Sequence, residues 1–233
     1  MKNFERNCII ALNKPTGMSS SLAVSIVKRT IHPNKIGHLG TLDPLGTGML
    51  LLAVNKATKL FDEYLKKRKV YRAIFKFGIE TDTFDSEGNV TNLKDCNISY
   101  NQVTSATSKF LGEQNQMPPM FSAKKIGGKK AYELAREGKV VELKPRLVNI
   151  YRFECLKQVC FNTFLFEIEC SAGTYIRSLC RDIAKELSTY GTMVSIIRTK
   201  CGVFTLGDMV TIDQIKEGDF KFYDIDEQGG KLE

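Results

Sequence analysis

The sequence predicts an α+β fold. Three features carry that prediction: short segments of alternating apolar residues that read as strands, two apolar stripes at helical spacing, and the lack of a regular strand–helix–strand repeat. At 233 residues the chain can bury one domain, or one domain with an appendage. Its 42% hydrophobic and 26% charged residues fit a packed core and argue against general disorder.

In chain order, Ser21 to Ile31 reads as a short helix capped by serine, with Ala23, Ile26, Val27 and Ile31 on one side. The glycine-rich run Gly37 to Met49, GHLGTLDPLGTGM, then leads into the apolar strand Met49 to Val54. From about Ala57 to Lys67, Ala57, Leu60, Phe61, Tyr64 and Leu65 form a helical stripe. Tyr71 to Phe77 alternates Tyr71, Ala73, Phe75 and Phe77 with Arg72, Ile74 and Lys76, the pattern of a strand with one buried face. Thr81-Asp82-Thr83 with Asp85 and Gly88 supplies turn and cap formers. From Gln116 to Arg146 the chain is irregular and basic, with Lys124, Lys125, Lys129, Lys130, Arg136 and Lys139 around Gly127-Gly128 and a short helix ending at Gly138, and reads as an excursion from the sheet. Val148 to Leu156 and Thr163 to Cys170 are expected to form a hairpin through the Lys157 to Asn162 turn. Gly173 opens a helix with Ile176, Leu179, Cys180, Ile183 and Leu187 as its core stripe, and a last strand lies near Met193 to Arg198. The expected division is a main domain over 1–204, with the insertion at about 116–146, and a short extension over 205–233 whose end, Gln228 to Glu233, is expected to be disordered.

Thirty-four Lys and Arg against 26 Asp and Glu give a formal charge of +8 and a pI near 9.1, which favours a polyanionic partner. The seven cysteines are odd in number, lack closely paired zinc spacing and accompany only two histidines. Several alternate with apolar residues, as Cys170 does with Phe164, Phe166 and Ile168, so buried reduced thiols in a reducing cytoplasm are expected. No apolar run is long enough to span a bilayer, and the start MKNFERN lacks the apolar stretch of a secretion signal, so neither membrane nor export is expected.

The glycine-rich run places one acidic residue, Asp43, in a loop where Gly37, Gly40, Gly46 and Gly48 permit positive φ or close approach of a ligand, and where Pro44 stiffens the following turn. Such a carboxylate can serve as a nucleophile; the other reading is an Asp-Pro turn between glycine hinges. The run fits neither a P-loop nor a dinucleotide fingerprint. Arg177 falls in the first turn of its helix, where the macrodipole disfavours positive charge, and four residues before Arg181. An anion would relieve both problems; a solvated arginine is the alternative.

The run from Gly37 through Pro44 into an apolar strand closely resembles the catalytic motif of the TruB family of tRNA pseudouridine synthases. The resemblance extends to Lys14-Pro15-Thr16-Gly17-Met18-Ser19-Ser20, to Pro118-Pro119-Met120-Phe121-Ser122-Ala123, to Ala131-Tyr132-Glu133-Leu134-Ala135-Arg136 and to Gly173-Thr174-Tyr175-Ile176-Arg177, covering about Leu12 to Phe204. It implies the pseudouridine synthase fold, a mixed, largely antiparallel sheet flanked by helices and loops. The implied activity is isomerisation of uridine 55 in the T-loop of tRNA, with no cofactor or metal. It makes Asp43 the nucleophile or charge partner, attacking the ribose anomeric carbon or the base, or abstracting a ribose proton. It makes Arg177 the cation beside that carboxylate, and Tyr71 the ring that stacks on the flipped uracil and is placed to take the C5 proton; periodicity alone also allows Tyr71 to be core. His38 would brace the gap left by the flipped base, Tyr175 and Ile196 would contact the substrate, and Lys14 with Pro15 would buttress the loop. Lys124, Lys125, Lys129 and Lys130 would lie in an insertion that grips the T-arm. At Ile196-Ile197-Arg198 the family usually has leucine and two arginines, so Ile197 replaces a cation. The family's longer members carry a C-terminal RNA-binding domain, for which residues 205–233 leave no room. Expected partners are thus tRNA alone, with no membrane and no obligatory protein partner, and a monomer as the default. The rivals are a guide-RNA-directed pseudouridylation subunit and a noncatalytic tRNA-binding or folding module.

Overall fold

The computed structural model describes residues 4–121, 125–126, 129–130 and 143–225. Its elements are β1 (Cys8–Lys14), α1 (Ser20–Ile31), β2 (Ile36–His38), β3 (Thr47–Val54), a 3-10 turn (Asn55–Leu60) running into α2 (Phe61–Lys66), β4 (Lys69–Phe77), β5 (Ile79–Thr81), β6 (Val90–Leu93), α3 (Tyr100–Ser108), β7 (Gly112–Gln116), β8 (Lys125–Ile126), β9 (Lys129–Lys130), β10 (Arg146–Cys160), β11 (Thr163–Cys170), α4 (Ile176–Glu186), β12 (Gly191–Cys201), a 3-10 turn (Leu206–Asp208), α5 (Ile212–Glu217) and β13 (Tyr223–Asp224). They form two compact units, one comprising the chain up to Tyr71 and from Ile196 onward, the other Arg72–Ser195. The class is α+β and the pairing mostly antiparallel, as expected.

In the first unit β1 lies antiparallel on β3, from Cys8 opposite Val54 to Lys14 opposite Gly48. On the other edge of β3 sit β2, antiparallel with His38 opposite Leu52, and the end of β12, parallel with Arg198 opposite Gly48. Cys8 to Leu12 and Met49 to Val54 are buried without interruption, because both faces of these strands are covered. Ile9, Ala11, Met49, Leu51 and Ala53 pack with Leu39, Ala57, Tyr64, Cys201 and Phe204. Full burial of one such aliphatic side chain is worth about 1.5–3 kcal/mol. The helix α1 starts one residue earlier than expected, with Ser19 as its cap accepting from Leu22 N at 3.1 Å. The expected single helix over 57–67 is instead a 3-10 turn followed by a short α-helix. Thr58 Oγ1 donates to Asn55 O at 2.8 Å, an i to i−3 bond that favours the tighter turn, and Phe61 stays exposed.

The outer edge of β1 is covered by the C-terminal part of the unit. Ile9 and Cys8 pair with Tyr223 and Asp224 of β13, and Val210 exchanges bonds with Ala11 O (2.9 Å) and Asn13 N (2.8 Å). Tyr223 packs edge-on to Phe204 at 5.2 Å and donates its hydroxyl to Asp208, which also caps the preceding turn through Thr205 N at 2.7 Å. Burial first, then the bond to Asp208 and its charge, push the Tyr223 phenol from 10.0 up to about 12. An acid whose folded pKa lies above its unfolded value is lost first by the unfolded chain. Stability is therefore full below pH 10 and falls as pH rises towards 12. In urea melts over this range, Tyr223→Phe should be less stable than native at pH 8 and should lose less on going to pH 11; an unchanged slope would remove Tyr223 as its source.

The second unit orders its strands β4, β11, β10, β7. The hairpin of β10 and β11 is longer than expected and turns at Phe161 and Asn162, where Asn162 takes φ 50°. Its amide is used on both sides, accepting from Ile98 N at 2.9 Å and donating to Cys96 O at 2.7 Å. Phe75, Phe153 and Phe166 pack with centroids 4.7 to 6.3 Å apart, and Phe110 meets Phe153 at 6.1 Å. Cys170 is buried, as are Phe164, Phe166 and Ile168 with which it alternates. Cys8, Cys96, Cys155, Cys160, Cys170, Cys180 and Cys201 are all free thiols, five of them buried. No helix of the described residues is long and apolar enough to cross a membrane.

Candidate active site

The Asp43 loop belongs to the first unit and is held through its main chain. Gly46 N donates to Asp43 O at 2.9 Å and closes a four-residue turn with Pro44 in second position, where its fixed φ is favourable. The peptide before Asp43 is fixed by Ser20, whose hydroxyl donates to Leu42 O at 2.8 Å and accepts from Leu42 N at 2.9 Å. After it, Pro44 O accepts from Gly17 N at 2.9 Å and from Lys14 Nζ at 3.2 Å, and Leu45 O accepts from Thr16 Oγ1 at 3.1 Å. Lys14 is wholly buried and also donates to Pro15 O at 2.8 Å and Met18 O at 2.6 Å. Lys14 reaches the loop through Pro44 O and Pro15 only through Lys14, and Asp43 itself is half-buried.

Of the loop's four glycines only Gly40 (φ 122°) and Gly48 (φ 87°) use positive φ. At Gly48 space is decisive too, since a Cβ would lie 2.5 Å from Arg198 O. Arg198, 2% exposed, reaches both arms of the loop. Its Nε donates to Met49 O at 2.6 Å, and its two terminal nitrogens donate to Thr41 O and Gly40 O at 3.3 Å each.

The same unit holds three of the expected substrate contacts. Tyr71 on β4 and Ile196 on β12 are 8% and 7% exposed, and His38 on β2 is half-buried. Thr47 Oγ1 donates to Ile196 O at 3.3 Å, tying Ile196 to the end of the loop.

Arg177 and Tyr175 lie in the second unit, at the start of α4. Tyr175 is the residue before the helix and is held by Gln116, whose Oε1 accepts from Tyr175 N at 2.8 Å and whose Nε2 donates to Tyr175 O at 3.1 Å. Arg177 is 5% exposed and has a protein anion beside it, Asp85 Oδ2 at 3.4 Å. It also donates to Thr83 O at 3.1 Å and Phe121 O at 2.9 Å. Asp85 is the turn former it was read as, accepting from Thr83 Oγ1 at 2.6 Å and Glu87 N at 3.1 Å, and its other oxygen orients Arg177. Arg181, one turn on, is compensated separately by Asp182 at 2.8 Å, by Met117 O at 3.1 Å and by the ring of Phe84 at 5.3 Å.

In the basic insertion, β8 and β9 pair antiparallel with Lys125 opposite Lys130 and Ile126 opposite Lys129, a two-stranded sheet apart from the main one, where the chain was expected to leave the sheet but to be irregular. Lys124 lies outside the described residues, as do Ser122, Ala123, Ala131 to Arg136 and the short helix expected to end at Gly138.

Asp85, Gln116 and Arg198 are the contributors that sequence reasoning missed. Asp85 had a visible signal as part of a turn, but its partner lies far along the chain.

A model of the TruB family pseudouridylate synthase N-terminal domain matches residues 28–176, and a tRNA pseudouridylate synthase B C-terminal domain model matches residues 177–228. The chain belongs to the TruB family. Among its TruB relatives, the tRNA pseudouridine synthase B of Clostridium novyi is 41% identical over 93% of this chain and 75% of its own. That of Rickettsia africae is 45% identical over 85% of this chain, but the match spans only 58% of the longer rickettsial protein. Among solved structures, a chain of a Cbf5-Nop10-Gar1 complex superposes with a TM-score of 0.71 at 27% identity, covering 93% of this chain and 57% of that one. An archaeal box H/ACA sRNP Nop10-Cbf5 complex gives 0.68 at 25% identity over 91% and 53%.

Proposed function

We propose that this TruB-family chain isomerises uridine 55 in the T-loop of tRNA to pseudouridine, with Asp43 as the reacting carboxylate. The observation that carries this reading is the fixed presentation of Asp43. Its flanking peptides are bonded on both sides to Ser20, Gly17, Lys14 and Thr16. The reaction breaks the N1–C1′ bond, turns the uracil and joins C5 to C1′; C5 gives up its proton and N1 gains one. Attack at C1′, attack at the base and removal of a ribose proton each need an ionised carboxylate in a fixed place.

A uridine within a folded loop must be flipped out to react, at a cost of a few kcal/mol. In this reading His38 braces the vacated stack, Tyr71 stacks on the uracil and takes the C5 proton, and Tyr175 and Ile196 line the base. Arg177, aimed by Asp85, offsets the carboxylate's charge. The higher identity to tRNA-modifying relatives than to the Cbf5 chains favours tRNA over a guide-directed substrate.

Carbodiimide labelling with primer extension on an unmodified tRNA transcript tests the assignment. A stop at position 55 with native protein and none with Asp43→Asn is the expected result. Intact tRNA binding without any stop in either would leave a noncatalytic tRNA-binding module. The insertion is assigned to the phosphate backbone of the T-arm. Neutralising Lys124, Lys125, Lys129 and Lys130 together should weaken tRNA binding and flatten its salt dependence, by about 0.7–0.9 in log–log slope for each phosphate that is no longer neutralised. An unchanged slope in filter binding would take the insertion off the RNA.

A further inference from the structure

A guanidinium removed from water normally faces a carboxylate, because its desolvation is costly and it cannot shed its proton. Arg198 departs from this rule. It is 2% exposed, and among the described residues it has no acidic partner. Its hydrogen bonds run to three main-chain carbonyls, Met49 O, Thr41 O and Gly40 O. Two of these precede Asp43 and one follows it, so a single planar fork joins the two arms of the loop.

Packing alone does not call for a charge at this position. The backbone of β12 is already paired here with β3, Ile197 opposite Thr47 and Arg198 opposite Gly48. An apolar side chain of similar volume would fill the same space without the desolvation cost. A lysine would bring the charge but only a compact point donor, which does not reproduce the rigid spread of three nitrogens. What arginine alone adds is a fixed separation between residues 40–41 and residue 49. From Arg6 to Phe61, Asp43 is the only acidic residue, so the loop being set has one candidate for chemistry.

We propose that Arg198 is a positioning residue for the reaction, a buried guanidinium fork that sets the opening of the Asp43 loop by holding both its arms. The inference rests on the assignment of Asp43 above. Gly48 belongs to the same device, since the missing Cβ lets the Arg198 carbonyl close on the loop.

The test is single-turnover pseudouridine formation at saturating enzyme, with tRNA affinity and thermal melting measured on the same preparations. Arg198→Met and Arg198→Lys should each lower the single-turnover rate constant by about 100-fold, the effect of a misplacement near 1 Å, with the tRNA dissociation constant unchanged within about threefold. Adding methylguanidinium to Arg198→Ala should restore part of the rate, whereas the same concentration of ammonium should not. A folded Met variant at the native rate overturns the proposal. If the Met variant does not fold, the Lys variant decides, and a native rate there overturns the proposal as well. Full activity of Asp43→Asn would instead remove the underlying assignment; an inactive Asp43→Asn beside a fully active Arg198→Lys removes only this inference.

Discussion

Asparagine at position 43 should lower turnover by about 10⁴-fold or more, the scale on which a reacting group is missed. The substitution keeps the side chain's shape and removes its charge and nucleophilicity. The loop should survive it, because the bonds that shape it use the main chain of Leu42, Asp43, Pro44 and Leu45 with Ser20, Lys14, Thr16, Gly17 and Gly46. Thermal melting and tRNA binding should therefore stay close to native, and the loss should appear in the single-turnover rate. A variant within about tenfold of native would leave the chemistry to another group.

Replacing Asp85 by alanine should cost about 3–5 kcal/mol of unfolding free energy, the range for removing one partner of a buried ion pair. Asp85 and Arg177 have side chains 4% and 6% exposed, so water cannot take over the lost charge. Arg177 would keep the carbonyls of Thr83 and Phe121, and the turn would lose the acceptor of Thr83 Oγ1 and Glu87 N. Against a typical total of 5–15 kcal/mol this is a large share. In urea the midpoint should fall with the m-value unchanged, and moderate salt should not shrink the difference, because buried pairs are little screened. A loss below about 1 kcal/mol would place the pair among weak surface bridges. Asp85→Asn keeps one acceptor for the turn and separates its two roles.

Some of this was legible because local physics fixes it. The alternations at 71–77 and 163–170 became strands with the predicted inward faces, and the stripe after Gly173 became α4. Other elements were legible but overlooked. Ser99 with Gln102 and Thr211 with Gln214 are capping boxes that open α3 and α5, and their Ser-x-x-Gln and Thr-x-x-Gln spacing is plain in the sequence. The strand β1 was also overlooked: Cys8 to Leu12 is apolar throughout, like the run Met49 to Val54 that was read as a strand, and burial on both faces leaves it no alternation. Long-range partners were beyond reach. Nothing near Arg177 announces Asp85, and Arg198 has the look of any cation alternating along a strand until its three carbonyls are seen.

The covering of β1 by residues from the far end of the chain bears on how the protein can be handled. A chain cut back before Val210, or one whose tag pulls Tyr223 and Asp224 away, would leave Cys8 to Asn13 as a bare apolar strand edge, a template on which other copies can add strands. Insoluble material from such a shortened chain would then report an unguarded edge, and would say nothing about the fitness of the Asp43 loop.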